Sequence, residues 1–78
     1  MKTEELDALL NGAKGVKLTQ QSGNVIWLMR HDLVSPVAWR AAMRRQLGHT
    51  GYEPPVYDQE AHDESVRELF ELVRSSAR

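Results

Sequence analysis

Few residues in this chain have side chains suited to chemistry. His31-Asp32, His49 and His62-Asp63-Glu64 supply imidazole and carboxylate groups, which serve as metal ligands or as partners in proton transfer. A metal site needs such groups to converge from fixed spacings, as two histidines one helical turn apart do. No such pair occurs, so no metal and no cofactor is expected. The serines do no better as nucleophiles. Ser22, Ser35, Ser65, Ser75 and Ser76 fall in turn, cap or tail contexts, and none lies in a strand-to-helix elbow. Cysteine is absent, which removes thiolate nucleophiles, thiolate zinc sites and disulfides together. With no nucleophile–base pair in view, the chain reads as non-enzymatic.

Leu47-Gly48-His49-Thr50 is similar to the LGH box of tyrosine recombinases, in which a histidine follows a helix and a tyrosine nucleophile lies downstream. Tyr52 or Tyr57 would stand in the nucleophile's place. That family holds its phosphate with several further groups from a much larger catalytic domain, which 78 residues cannot house. The plainer reading is a helix end. Gly48 supplies a positive φ, and His49 sits at the negative end of the helix dipole.

Charge gives the next candidate. The net charge of −1 conceals a segregation. Residues 13–51 hold Lys14, Lys17, Arg30, Arg40, Arg44 and Arg45 against Asp32 alone, whereas residues 52–78 carry seven acids and three arginines. Arg40, Arg44 and Arg45, one turn apart or adjacent, form a candidate partner-binding surface. Their acids belong to an acidic protein, to phosphates, or to Glu60, Glu64 and Glu68 of the same chain. A phosphate-binding Gly-rich loop and an aromatic-laced strand are both missing, so nucleic acid is the alternative partner and protein the first. The segment Tyr52-Glu53-Pro54-Pro55-Val56-Tyr57 adds amphipathic rings on a stiff backbone. Tyr52 and Tyr57 either strap the core or join the binding surface.

These side chains must be positioned by a small set of elements. Thr3 as N-cap, acids in the first turn, and Leu6, Leu9, Leu10 and Ala13 at helical spacing predict a helix over about 3–12, ended by Gly12 or Gly15. Val16 to Gln20 alternates, Gln21-Ser22-Gly23-Asn24 is a turn cluster, and Val25 to Met29 is rich in strand formers. Together they predict a hairpin over about 16–30 whose second strand is apolar on both faces. Ser35-Pro36 starts a second helix over about 36–47, with Trp39, Met43 and Leu47 facing inward. Residues 48–58 form a loop. A last helix covers about 59–75, with a capping-box pattern at Ser65 marking a later alternative start. Its apolar face is Val66, Leu69, Phe70 and Val73, widened by Leu72. Residues 75–78 are expected to fray.

The fold class is therefore α+β: one domain, helix – β-hairpin – helix – helix. Trp27, Leu28, Trp39, Met43, Leu69 and Phe70 are expected to share its core. Helix–hairpin–helix is also the element order of some small phage head–tail joining proteins, an order shared without any motif. A domain this short buries only about 60% of its unfolded surface, so a partner would help to stabilise it. The broad last helix suggests a homodimer. The N-terminal residues resemble neither a signal peptide nor an anchor, the apolar runs are too short for a bilayer, and cysteine is absent, so a cytoplasmic location is expected. The functional expectation is a small protein-binding module, a bacterial or phage accessory regulator or inhibitor that acts by occupying a surface.

Overall fold

The computed structural model describes residues 1–76 and has the expected order, a small α+β domain. Helix α1 spans Thr3–Leu10. Glu4 and Glu5 occupy its first turn, where they meet the helix dipole. Thr3 lies inside the helix, because Lys2 holds the N-cap position without a side-chain bond. The helix stops two residues before the expected end. Asn11 turns left-handed at φ 50°, a conformation its short polar side chain tolerates. Leu6 and Leu10 are buried, and Ala13 lies beyond the helix in solvent.

Strands β1 (Gly15–Thr19) and β2 (Val25–Met29) pair antiparallel, Gly15 opposite Met29 and Thr19 opposite Val25. The Gln20 N–H donates to Asn24 O at 2.8 Å and the Gly23 N–H to Gln20 O at 2.9 Å, which closes a three-residue loop. Gly15 must be glycine on steric grounds. A Cβ there would run into the Leu28 carbonyl oxygen and lie 2.8 Å from Met29 Cα. Along β2 burial alternates strictly. Ile26 and Leu28 are fully buried, while Val25, Trp27 and Met29 face outward. The expectation that Trp27 belongs to the core is thus corrected. Tryptophan's apolar bulk does not decide its side of a pleated strand; the register does. Only one face of the hairpin is covered.

Arg30 leaves the strand for a 3-10 turn, Arg30–Asp32, although its N–H still donates to Lys14 O at 2.9 Å. Helix α2 then runs Pro36–Leu47, with the bounds expected from its sequence. Ser35 Oγ accepts from the Ala38 N–H at 3.2 Å, and proline's missing N–H costs nothing at the first position. Its far end differs from expectation. Gly48 keeps a negative φ of −55° and enters a 3-10 turn, Gly48–Thr50, and the left-handed residue is Gly51 at φ 82°. His49 sits in that turn, exposed.

Helix α3 spans Gln59–Ser76. Asp58 caps it: Oδ1 accepts from the Ala61 N–H at 2.9 Å, and the carbonyl from the His62 N–H at 2.9 Å. Ser65 therefore lies inside the helix, and the later start does not occur. Val66, Leu69 and Phe70 are buried and Val73 packs at the core's edge. Leu72, 64% exposed, does not widen that face. Of the tail expected to fray, Ala77 and Arg78 lie outside the described residues. All three helices and both strands contribute to a single core, with Leu6, Val16, Leu28, Leu33, Trp39 and Val66 among its members.

Candidate functional site

Two of the three arginines of α2 already meet acids of their own chain. Adjacent helical residues diverge by roughly 100°, and Arg44 and Arg45 reach acids on different segments. Arg44 pairs with Glu53 of the 48–58 loop at 3.5 Å, and Arg45 approaches Asp32 of the first 3-10 turn at 3.9 Å. Among the described residues Arg40 makes no ion pair, and its Nε is buried without a hydrogen-bond partner. Glu60, Glu64 and Glu68 answer none of the three. The contacts that join α3 to the rest of the charge layout lie elsewhere: Arg67 donates to Glu5 of α1 at 2.7 Å. Glu5's carboxyl is held below its ordinary pKa by that bond.

Tyr52 packs against the core and Pro54 is buried, so this part of the loop straps the domain. Tyr57 stacks on His62, with ring centroids 5.6 Å apart and planes at 22°. Burial raises the Tyr57 phenol's pKa. His62, weighed above only as a metal ligand or proton-transfer group, is fully buried in the core. Its Nε2 lies 3.1 Å from the Leu33 carbonyl oxygen, its Nδ1 3.4 Å from the Tyr57 hydroxyl, and Trp39 meets its ring edge-on at 5.6 Å. The carbonyl can only accept, so Nε2 carries the proton and Nδ1 accepts from Tyr57. Loss of hydration lowers the pKa of His62. A signal was present: His62 precedes Val66 by one helical turn and so lies on the apolar face of α3.

A second arrangement, unforeseen from sequence, occupies the hairpin. Gln46 reaches from α2 to the backbone of Trp27. Its Oε1 accepts from the Trp27 N–H at 2.8 Å, and its Nε2 donates to the Trp27 carbonyl at 2.7 Å. Two residues on, Asp32 Oδ2 accepts from the Met29 N–H at 2.9 Å. The outer edge of β2 is thereby closed by side chains. Gln46 follows Trp39 by two turns, on the inward face, and a polar residue there was the available clue.

On the outer face of the same hairpin, Val25 (46% exposed), Trp27 (57%) and Met29 (37%) form an apolar stripe. Lys17, directly across from Trp27, places Nζ 5.7 Å from the ring centroid, a cation–π contact. Met29 also lines a hollow of about 280 Å³ with Gly12, Ala13, Lys14, Arg30 and His31. Between Asp7 and Asp32 the chain contains no acid. Arg30 is answered by Asp7, whereas Lys14 and Lys17 have no ion-pair partner among the described residues.

Among the described residues no three histidine or carboxylate side chains gather as a metal site, and no helix is long and apolar enough to cross a membrane. No protein-family model matches this chain, and no curated protein and no solved structure is detectably similar to it.

Proposed function

We propose that this domain is a small, non-enzymatic protein-binding module. It docks a partner protein on the outer face of the hairpin and acts by occupying the partner's surface, as a cytosolic regulator or inhibitor does. The partner presents an apolar contact surrounded by acidic side chains. The observation that carries this reading is the position of Trp27, more than half exposed between Val25 and Met29, on a hairpin whose only charges are positive. Large aromatics are the residues on which binding energy concentrates, and monomeric proteins rarely leave them grouped with other apolar side chains in water. Arg44 and Arg45 support a partner less directly, since each already leans toward an acid of its own chain.

Photo-crosslinking in the source cell tests the proposal. A photoreactive residue at position 25 is expected to capture a second protein through an acidic segment, and Trp27→Ser in the same chain is expected to abolish the adduct while the fold survives. The same group at Ala41, exposed on α2, is expected to capture nothing. Adducts from position 41 alone would move the site to the arginine side, and an adduct with a second copy of the chain would replace the partner protein by self-association.

A nucleic-acid partner is favoured by one observation, the Arg40 guanidinium that no described residue answers. Phosphate contact there predicts nuclease-sensitive capture and an affinity that falls steeply with salt. Pairing of two copies through α3 rests on Leu72 alone, because Leu69 and Phe70 are already buried in their own core.

A further inference from the structure

We infer that the partner engages this surface by strand addition, laying an extended acidic segment along the free edge of β1. The inference rests on the proposed docking role of the hairpin and specifies its chemistry. The Trp27 N–H and C=O are both taken by Gln46, so they point away from β1. Lys17 stands directly opposite Trp27. In an antiparallel ladder such a residue is the other half of a non-hydrogen-bonded pair, and its own N–H and C=O point away from β2. The flanking bonds fix the same phase. Arg30 N–H donates to Lys14 O and Gln20 N–H to Asn24 O, so residues 14, 16, 18 and 20 bond inward, and Gly15, Lys17 and Thr19 bond outward. Among the described residues nothing accepts from or donates to those outward groups. The sheet thus has one edge closed by Gln46 and Asp32 and one edge open.

The chemistry around the open edge selects its occupant. Side chains alternate, so an added strand would set every second residue beside Lys17 on the outer face, next to Trp27. The residues between would lie over half-buried Leu18 on the inner face. Lys17, without an ion-pair partner among the described residues, asks for an acid on the outer face; Leu18 asks for apolar side chains on the inner. At the start of β1, the hollow lined by Lys14, Arg30 and His31 is placed to take a further carboxylate. A second copy of this chain fits poorly. Antiparallel pairing of two β1 edges centred on position 17 would set lysine against lysine, and like charges directly opposite are destabilising. The lysine that suits an acidic strand also deters self-pairing at an exposed edge.

The test uses the intact chain and a short blocked peptide of alternating glutamate and valine as probe. Amide hydrogen exchange is followed residue by residue by NMR. The peptide at millimolar concentration is expected to slow exchange at the Gly15, Lys17 and Thr19 amides by about tenfold or more, while Val16 and Leu18, already bonded to β2, change little. The same peptide with lysine in place of glutamate is expected to leave exchange unchanged, and so is a version N-methylated at alternate residues, which cannot donate to the edge. Lys17→Glu is expected to reverse the preference between the glutamate and lysine peptides. Exchange that stays unaltered at residues 15, 17 and 19 under the glutamate peptide would overturn strand addition, as would equal protection by all three peptides. If crosslinking from position 25 still captures the partner in a Trp27-dependent way, that failure falls on strand addition alone. If crosslinking fails while the amides are protected, the proposed docking face is wrong and the edge chemistry stands.

Discussion

Protonating His62 would remove the acceptor at Nδ1 and place a charge in a site with no carboxylate bonded to it. Asp63, its neighbour in sequence, favours the charged form only weakly against the loss of hydration. The folded pKa lies below the ordinary value of 6.5. The unfolded chain therefore takes up the proton first as pH falls. The stability tied to neutral His62 is fully present above about 6.5 and is lost as pH drops through the depressed folded pKa. Urea unfolding midpoints are expected to fall between about pH 7 and 5, and His62→Gln is expected to flatten that slope. An unchanged slope would show that the pH dependence does not come from His62. The two tryptophans give a second contrast at this scale. Trp39, 8% exposed in the core, is expected to cost about 3–5 kcal/mol when truncated to alanine, by loss of burial and a cavity. Trp27→Ala is expected to cost under about 1 kcal/mol, because most of its ring is already in water. Thermal or urea melts of both variants check the pair.

The hairpin and α2 depend on each other through a few contacts. A two-stranded sheet is marginal in water, and this one gains its support from the core beneath Ile26 and Leu28 and from Gln46 along its edge. Gln46→Ala removes both bonds to Trp27 and is expected to cost about 1–2 kcal/mol. It also reopens the β2 edge, so faster hydrogen exchange at the Trp27 amide is the specific sign. Gly15→Ala attacks the same element from the other strand, where any Cβ meets β2 backbone. A loss of about 1–3 kcal/mol is expected from the shift this forces. A Gly15→Ala variant as stable as the parent would mean that the strand starts later than Gly15.

At the scale of the whole molecule, charge is arranged so that the acidic ends neutralise part of the basic middle: Asp7 pairs with Arg30, and Glu53 with Arg44. The hairpin is left with cations that no described acid answers. Two outcomes follow for association. In sedimentation at micromolar concentration the chain is expected to be a monomer, since α3 offers a second copy only Leu72 and the outward Lys17 deters pairing of two hairpin edges. A dimer dispersed by Leu72→Asp would restore pairing through α3. Partner binding is expected to weaken only moderately with salt, because the central contact at Trp27 is apolar and only the rim is ionic.

Local signals determined the elements. Ser35-Pro36 fixes the start of α2 because a serine side chain and a ring-locked φ suit only that position, and alternation with a turn cluster fixes the hairpin. The face of each helix was legible from spacing, which is why Trp39, Met43, Leu69 and Phe70 fall in the core. Hydrophobicity could not tell which side of β2 the tertiary structure would cover, since Val25 to Met29 is apolar throughout and pleating sends alternate residues to opposite faces. Nor could spacing show that Arg44 and Arg45, neighbours in sequence, would be drawn to Glu53 and Asp32, since those acids meet the helix only once the chain has folded. Gln46 and His62 were visible as polar residues on apolar faces. Their partners, the Trp27 backbone and the Leu33 carbonyl, lie 19 and 29 residues away, and only the packing of α2 and α3 against the hairpin and its following turn brings each pair within bonding distance.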